Sequence, residues 1–175
     1  MVKSIVIVGG SSDIAKSTIS SISTENYKFH ALVRDDSHTD ELSDLGVNVI
    51  LGDATSEEDI KNFISGVKES GEIHAILHCV GSFAVRPPHA MNKEAFEAVI
   101  STNLTSAFLT LSIAGKAMLS QGHGRMVFMS SVAGSLGLVN HEAISAAKGG
   151  IESMVRSAAA TYANRGLRIN AVAPG

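Results

Sequence analysis

Ile5-Val6-Ile7-Val8-Gly9-Gly10-Ser11-Ser12-Asp13-Ile14-Ala15 is the stretch whose reading decides the fold. Four β-branched residues in a row make a stiff, apolar segment that suits a buried strand. Gly9-Gly10 then allows a tight turn. From Asp13 to Ile22 the spacing predicts a helix, with Ile14, Ser17 or Thr18, and Ser21 or Ile22 along one side. A first strand that hands over to a first helix through glycine is a place where a pyrophosphate can sit. The first amides of a helix are unpaired and its dipole is positive there. Gly9, Ser11, Ser12, Asp13 and Ile14 are therefore candidate phosphate-side residues. The same residues also suit an ordinary strand–helix turn. The strand series that follows favours the nucleotide reading.

Working outward, short apolar runs alternate with helical stretches to the end of the chain. Strands are predicted at Phe29–Val33, Val47–Leu51, Ile73–Val80, Met126–Met129 and Leu167–Val172. Helices are predicted from Thr55-Ser56-Glu57-Glu58 onward, over Asn92–Met118 and over Glu142–Asn164, whereas Asp35–Asp44 reads as a polar stretch of turn and cap residues. The alternation predicts one α/β domain over residues 1–175: a doubly wound parallel sheet of Rossmann type, with helices on both faces in three layers. The last strand would be an apolar edge with nothing after it. Natural edges are usually covered, so a further C-terminal piece, or a partner, is expected to cover this one.

Composition narrows the function classes. The chain has 175 residues, 45% of them hydrophobic and 18% charged, with a formal net charge of −3. That balance argues against a nucleic-acid binder, which usually carries a basic face. No apolar run approaches the roughly 18 residues of a bilayer span, and the start shows no signal-peptide pattern. The single cysteine, Cys79, excludes a disulfide framework within the chain and suits a reducing cytosol. A cytoplasmic protein is expected.

Other residues carry candidate chemistry. Val33-Arg34 ends the second strand without a carboxylate, so Arg34 suits a 2′-phosphate and NADP(H) is favoured over NAD(H); Arg34 as a solvated surface charge is the alternative. Asp53-Ala54 follows the third strand and could meet an adenine edge, or begin the next helix, or both. His74 and His78 have the spacing of a metal pair but fall on a predicted strand, so they read as packing or polar-network residues, and no metal is expected. Cys79 reads as a buried small hydrophobe, and Met118, Met126, Met129 and Met154 as core filling.

Over essentially the whole chain these ordered segments resemble the short-chain dehydrogenase/reductase family. Val8-Gly9-x-x-x-Asp13-Ile14-Ala15 is similar to its glycine motif, and His78-Cys79-Val80-Gly81 stands at its Asn-Asn-Ala-Gly. Asn103 in Asn103-Leu104-Thr105-Ser106-Ala107-Phe108 matches its structural asparagine. Gly124-Arg125-Met126-Val127-Phe128-Met129-Ser130-Ser131 resembles the segment that delivers the catalytic serine. Arg168-Ile169-Asn170-Ala171-Val172-Ala173-Pro174-Gly175 resembles the ending of its sixth strand. The resemblance implies hydride exchange between a nicotinamide and a carbonyl/alcohol substrate. Ser131 would polarise the substrate oxygen, Lys148 would hold ribose hydroxyls, and Gly81, Pro174 and Gly175 would line the cofactor. It departs at the reaction centre: the tyrosine of Tyr-x-x-x-Lys is Ile144 here, thirteen residues after Ser131.

Isoleucine transfers no proton. His141, three residues earlier, can donate and accept one near neutral pH and is the candidate replacement acid; helix capping or lining the cleft is the alternative. The alternative to an oxidoreductase is a nucleotide-binding pseudoenzyme or regulatory subunit. The lightly charged helices around Leu104–Met118 and Glu142–Asn164 suit close packing, in the family between subunits, so a homodimer or homotetramer is expected.

Overall fold

The computed structural model describes residues 3–22 and 26–175. β1 (Lys3–Val8) is buried from its second residue onward, because it lies in the middle of a six-stranded sheet. The other strands are β2 (Tyr27–Val33), β3 (Val47–Leu51), β4 (Ile73–His78), β5 (Gly124–Met129) and β6 (Leu167–Val172). All neighbours pair in parallel, in the order β3-β2-β1-β4-β5-β6. The order reverses between β1 and β4, and such a switch point leaves a crevice at the carboxyl ends of the strands.

Helices α1 (Asp13–Ser21), α2 (Thr39–Asp44), α3 (Glu57–Ser70), α4 (Lys93–Ile100), α5 (Ser106–Gln121) and α6 (Glu142–Tyr162) link the strands. Two large apolar clusters cover the sheet, one on each face. Ile60, Phe63 and Ile64 of α3, Ala114 and Met118 of α5, and Ile151 and Val155 of α6 pack on one face. Ala15 and Ile19 of α1 and Leu42 of α2 pack on the other with Ile7, Phe29 and Ala31. A three-layer doubly wound α/β fold is thus what the strand–helix alternation predicts and what the chain adopts.

Several local expectations need correction. The polar stretch after β2 contains α2, a short helix anchored by one buried residue, Leu42. On α1 the buried residues are Ala15 and Ile19, while Ile14 is exposed, so the inward stripe is one position away from the expected one. β4 stops at His78 rather than Val80. The helix expected over Asn92–Met118 runs on to Gln121 and carries a π-turn at Ser101–Thr105. Here Ser106 donates its hydroxyl to the Thr102 carbonyl at 2.6 Å. That helix, Lys93–Gln121, is also long and apolar enough to cross a membrane by length and composition, contrary to the expectation of no such run. Its apolar character is explained by Ala107, Leu111, Ala114 and Met118, which lie in the core against the sheet.

The turn after β1 is a tight point of the architecture. Gly9 and Gly10 both donate their N–H to the Leu32 carbonyl of β2, at 3.0 and 3.1 Å. A Cβ on Gly10 would fall 2.6 Å from the Cβ of Ala31, a rigid neighbour with no rotamer to move. Gly10→Ala is therefore expected to cost about 1–3 kcal/mol of unfolding free energy. Ala31→Gly in the same chain should recover part of that loss, giving a clear coupling in a urea-denaturation double-mutant cycle. Independent, additive effects would refute the contact.

Candidate functional site

The crevice at the switch point is a cleft of about 460 Å³. The loop after β1 contributes Gly9, Ser11 and Ser12, and the end of β2 contributes Arg34 and Asp35. Asp53 and Ala54 follow β3, Cys79 and Gly81 follow β4, and Ser101 and Thr102 come from the π-turn. Gly9 has φ +86°, and a Cβ there would lie 2.8 Å from the backbone nitrogen of Val80. The turn is thereby seated against the exit of β4 with its backbone open to the cleft. Ser12 caps α1 by accepting the Ala15 N–H at 3.2 Å. The fit to a dinucleotide rests on these grounds: space left by the glycine turn, the Ser11 and Ser12 residues beside it, and the Arg34 guanidinium in the same lining.

Two carboxylates line this cleft, and both are held ionised. Hydrogen bonds from the side chain and backbone N–H of Ser37 lower the pKa of Asp35. Asp53 is lowered in the same way by the backbone N–H and hydroxyl of Thr55, each at 2.8 Å. Asp35 is a residue that sequence reasoning missed. It follows Arg34 on the chain and carries no motif of its own.

Beneath the cleft lies a chain of buried polar groups. Asn103, fully buried in the π-turn, accepts the Ser82 N–H at 3.1 Å. Its amide donates to the Ser82 hydroxyl and the Val99 carbonyl, both at 2.9 Å. Both side-chain polar atoms of Asn103 thus bond Ser82 and fix the segment after Gly81. Lys148 is buried and donates to the Met129 carbonyl at 2.8 Å. A Cβ on Gly81 would lie 3.4 Å from its ammonium, so the charge faces the Gly81 backbone. Burial lowers the Lys148 pKa. Cys79 has its thiol pushed up to about 11 by burial, which makes it a poor nucleophile, in keeping with a small apolar role.

Ser131 caps a short turn, accepting the Ala133 N–H at 3.2 Å, and its own hydroxyl proton is left to donate elsewhere. The Val132 N–H donates to the Pro174 carbonyl at 3.0 Å, which ties the end of β6 to this segment. Pro174 and Gly175 are exposed beside it. His141 precedes α6 and makes no side-chain cap. Its Nδ1 lies 2.7 Å from the Val139 carbonyl and so carries the proton, and its ring meets Phe83 edge-on at 6.2 Å. Ile144 is buried with Val99, Ala133, Ala143 and Ala147 in a small apolar cluster.

Of the sequence-derived cofactor residues, Gly9, Ser11, Ser12, Arg34, Asp53, Ala54 and Gly81 line the one cleft. Asp13 and Ile14 do not: the Asp13 side chain stands in solvent 3.6 Å from Lys16, and Ile14 is exposed. Lys148, Asn103, Ser131, His141, Pro174 and Gly175 also lie outside the lining of that cleft. His74 and His78 both act as polar-network residues, as their spacing on a strand implies. His74 sits by Arg125 at 3.2 Å.

His78 has a measurable consequence. Its Nε2 is 3.1 Å from the Ser106 hydroxyl, whose proton already goes to Thr102, so the imidazole donates there and Nδ1 is left without a partner. Burial, with the Lys148 charge behind it, lowers its pKa from 6.5 to about 3. The unfolded chain takes up this proton below pH 6.5 and the native chain does not. Stability from the neutral ring is therefore complete above pH 6.5 and lost as pH falls towards 3, at up to about 1.4 kcal/mol per pH unit. His78→Asn should flatten the stability–pH curve across that window in chemical denaturation. An unchanged slope would show that the ring titrates normally.

Comparison with known proteins agrees with this geometry. The family model for short chain dehydrogenase matches residues 3–175. Levodione reductase of Leifsonia aquatica is 30% identical over 182 aligned residues, which cover 98% of this chain and 68% of that protein. Cis-4-hydroxycyclohexanecarboxylate dehydrogenase of Sinomonas cyclohexanicum is 35% identical over 125 residues, 70% of this chain. The chain spans about half to two thirds of the length of these relatives, 50% in the latter case. The solved structure of ElxO with NADP bound superposes with a TM-score of 0.93 at 24% identity, covering 100% of this chain and 74% of that one. The sheet order, the switch-point cleft and the match over residues 3–175 together place this chain in the short chain dehydrogenase family.

Proposed function

We propose that the chain is an NAD(P)-dependent oxidoreductase that moves a hydride between a nicotinamide and a small carbonyl/alcohol substrate. The observation that carries this reading is the convergence of Gly9, Ser11, Ser12, Arg34, Asp53, Ala54 and Gly81 on one cleft. When bound, the cofactor supplies or accepts the hydride. In this reading the Gly9–Ser12 turn receives the pyrophosphate, Asp53 and Ala54 the adenine edge, and Lys148 the ribose hydroxyls. Ser131 donates its free hydroxyl proton to the substrate oxygen. NADP(H) is favoured because Arg34 can pair with a 2′-phosphate, while Asp35 beside it suits the ribose hydroxyls of NAD(H). The substrate is a small molecule, and the exposed Phe96 and Phe108 of the α4–α5 helix support a homodimer or homotetramer.

His141 is the proposed general acid/base. With Nδ1–H engaged by Val139, Nε2 is the atom that takes and returns the proton. The second reading, a nucleotide-binding pseudoenzyme, is favoured by one observation: Ile144 is buried among apolar residues where the family resemblance expects the catalytic tyrosine. Carbonyl-dependent NADPH oxidation, assayed over a ketone and aldehyde panel, separates the two. The unmodified chain should turn over, and His141→Ala should lower the rate roughly a hundredfold or more with little change in cofactor affinity. No turnover in the unmodified chain, with a large gain in Ile144→Tyr, would establish the pseudoenzyme reading instead.

A further inference from the structure

The opposite end of the sheet carries a second concavity, of about 370 Å³. It opens at the amino ends of four adjacent strands, about 20 Å from the cleft by the rise of six strand residues. Lys3 is the first residue of β1, and His74, Arg125 and Arg168 are each the second residue of β4, β5 and β6. All four line the concavity together with His123 and Glu72. The chain as a whole is acidic, with a net charge of −3, so this gathering of positive charge does not follow from composition.

The charge is also poorly compensated. Glu72 is the one carboxylate in the lining, and it lies 3.3 Å from His123. Arg125 and Arg168 are register partners on neighbouring strands, and like charges placed directly opposite each other destabilise a sheet. Neither guanidinium is hydrogen-bonded to a carboxylate among the described residues. Arg168 donates to the backbone carbonyls of Ala163 and Leu167, at 3.0 and 3.3 Å. Arg125 has Nη1 3.2 Å from Nε2 of His74. A guanidinium only donates, so His74 accepts as a neutral ring and adds nothing to neutralise its neighbour. Burial and the nearby Arg125 and Lys3 charges lower the pKa of His74, which keeps it neutral.

We propose that this concavity is a binding site for a dianionic phosphoryl group, separate from the nucleotide cleft. Two adjacent guanidinium forks and an ammonium match the several oxygens of one phosphoryl group better than they match a single carboxylate. The concavity also has room for the remainder of a phosphate monoester. The bound dianion removes the repulsion between Arg125 and Arg168, so ligand affinity and local stability are linked.

The test is thermal unfolding of the full chain in chloride and in phosphate at matched ionic strength, with amide NMR to locate the anion. Inorganic phosphate at ten times its Kd should raise the Tm by about 3–6 °C and shift the Gly124 and Gly166 amides. Arg125→Gln and Arg168→Gln should each weaken phosphate binding roughly ten- to hundredfold. In chloride alone Arg125→Gln should melt at the same temperature as the unmodified chain or higher, because the repulsion is gone, whereas Arg168→Gln also loses its bonds to the Ala163 and Leu167 carbonyls. Glycerol 3-phosphate in a parallel titration distinguishes the source: tighter binding than phosphate identifies an ester as the ligand class, and equal binding identifies the free anion. Either result is consistent with the site. Shifts confined to Gly9–Ser12, undiminished binding in both variants, or a lower Tm for Arg125→Gln in chloride would each overturn it.

Discussion

The close approach of the β1–α1 turn to the exit of β4 is the constraint on which the site depends. Gly9 takes φ +86° and lets Val80 come to where a Cβ would stand. Gly10 closes the other side against Ala31. With both glycines in place, Gly9, Ser11 and Ser12 line the cleft just ahead of α1. A larger residue at Gly9 would push the turn away from the exit of β4, and one at Gly10 would push it away from β2.

Packing alone does not hold the far wall of the cleft. The π-turn after α4 displaces the helix backbone, and Ser106 satisfies the Thr102 carbonyl there. His78 reaches from β4 to hold Ser106, and Asn103 reaches back to hold Ser82. These bonds tie one helix to the segments before and after Gly81. Buried polar groups carry a high cost when unpaired, so the network specifies one arrangement of the wall. The unpartnered Nδ1 of His78 is the cost of using an imidazole at this point.

Much of this was legible in the chain. The β-branched run before Gly9 and the strand–helix alternation were sufficient for the sheet and its parallel sense, and the Gly9–Ser12 turn pointed to the cleft at its carboxyl end. α2 was not legible, because Thr39–Asp44 contains one buried apolar residue and no helical stripe. The π-turn was hidden for a different reason: Ile100 and Leu104 keep the apolar pattern going across the inserted residue. Asp35, Ser101, Thr102 and Cys79 reach the cleft through topology, and local sequence has no mark for that. The same holds for Lys3, His74, Arg125 and Arg168, which are far apart in sequence and adjacent only through strand register. Ile14 illustrates the opposite error, a residue assigned to the phosphate side of the turn that stands in solvent outside the cleft.

The switch-point cleft is assigned to a nicotinamide dinucleotide with Arg34 at its ribose end, and this assignment rests on the lining of one cleft. It is tested most directly by fluorescence titration of NADPH and NADH into the unmodified chain and into Arg34→Ala. A charge-assisted phosphate contact corresponds to roughly a ten- to hundredfold preference for NADPH, and this preference should be largely erased in Arg34→Ala. Saturable binding with that pattern is the predicted result. Equal affinity for the two cofactors in the unmodified chain would contradict the role of Arg34, and no binding of either would contradict the assignment of the cleft itself.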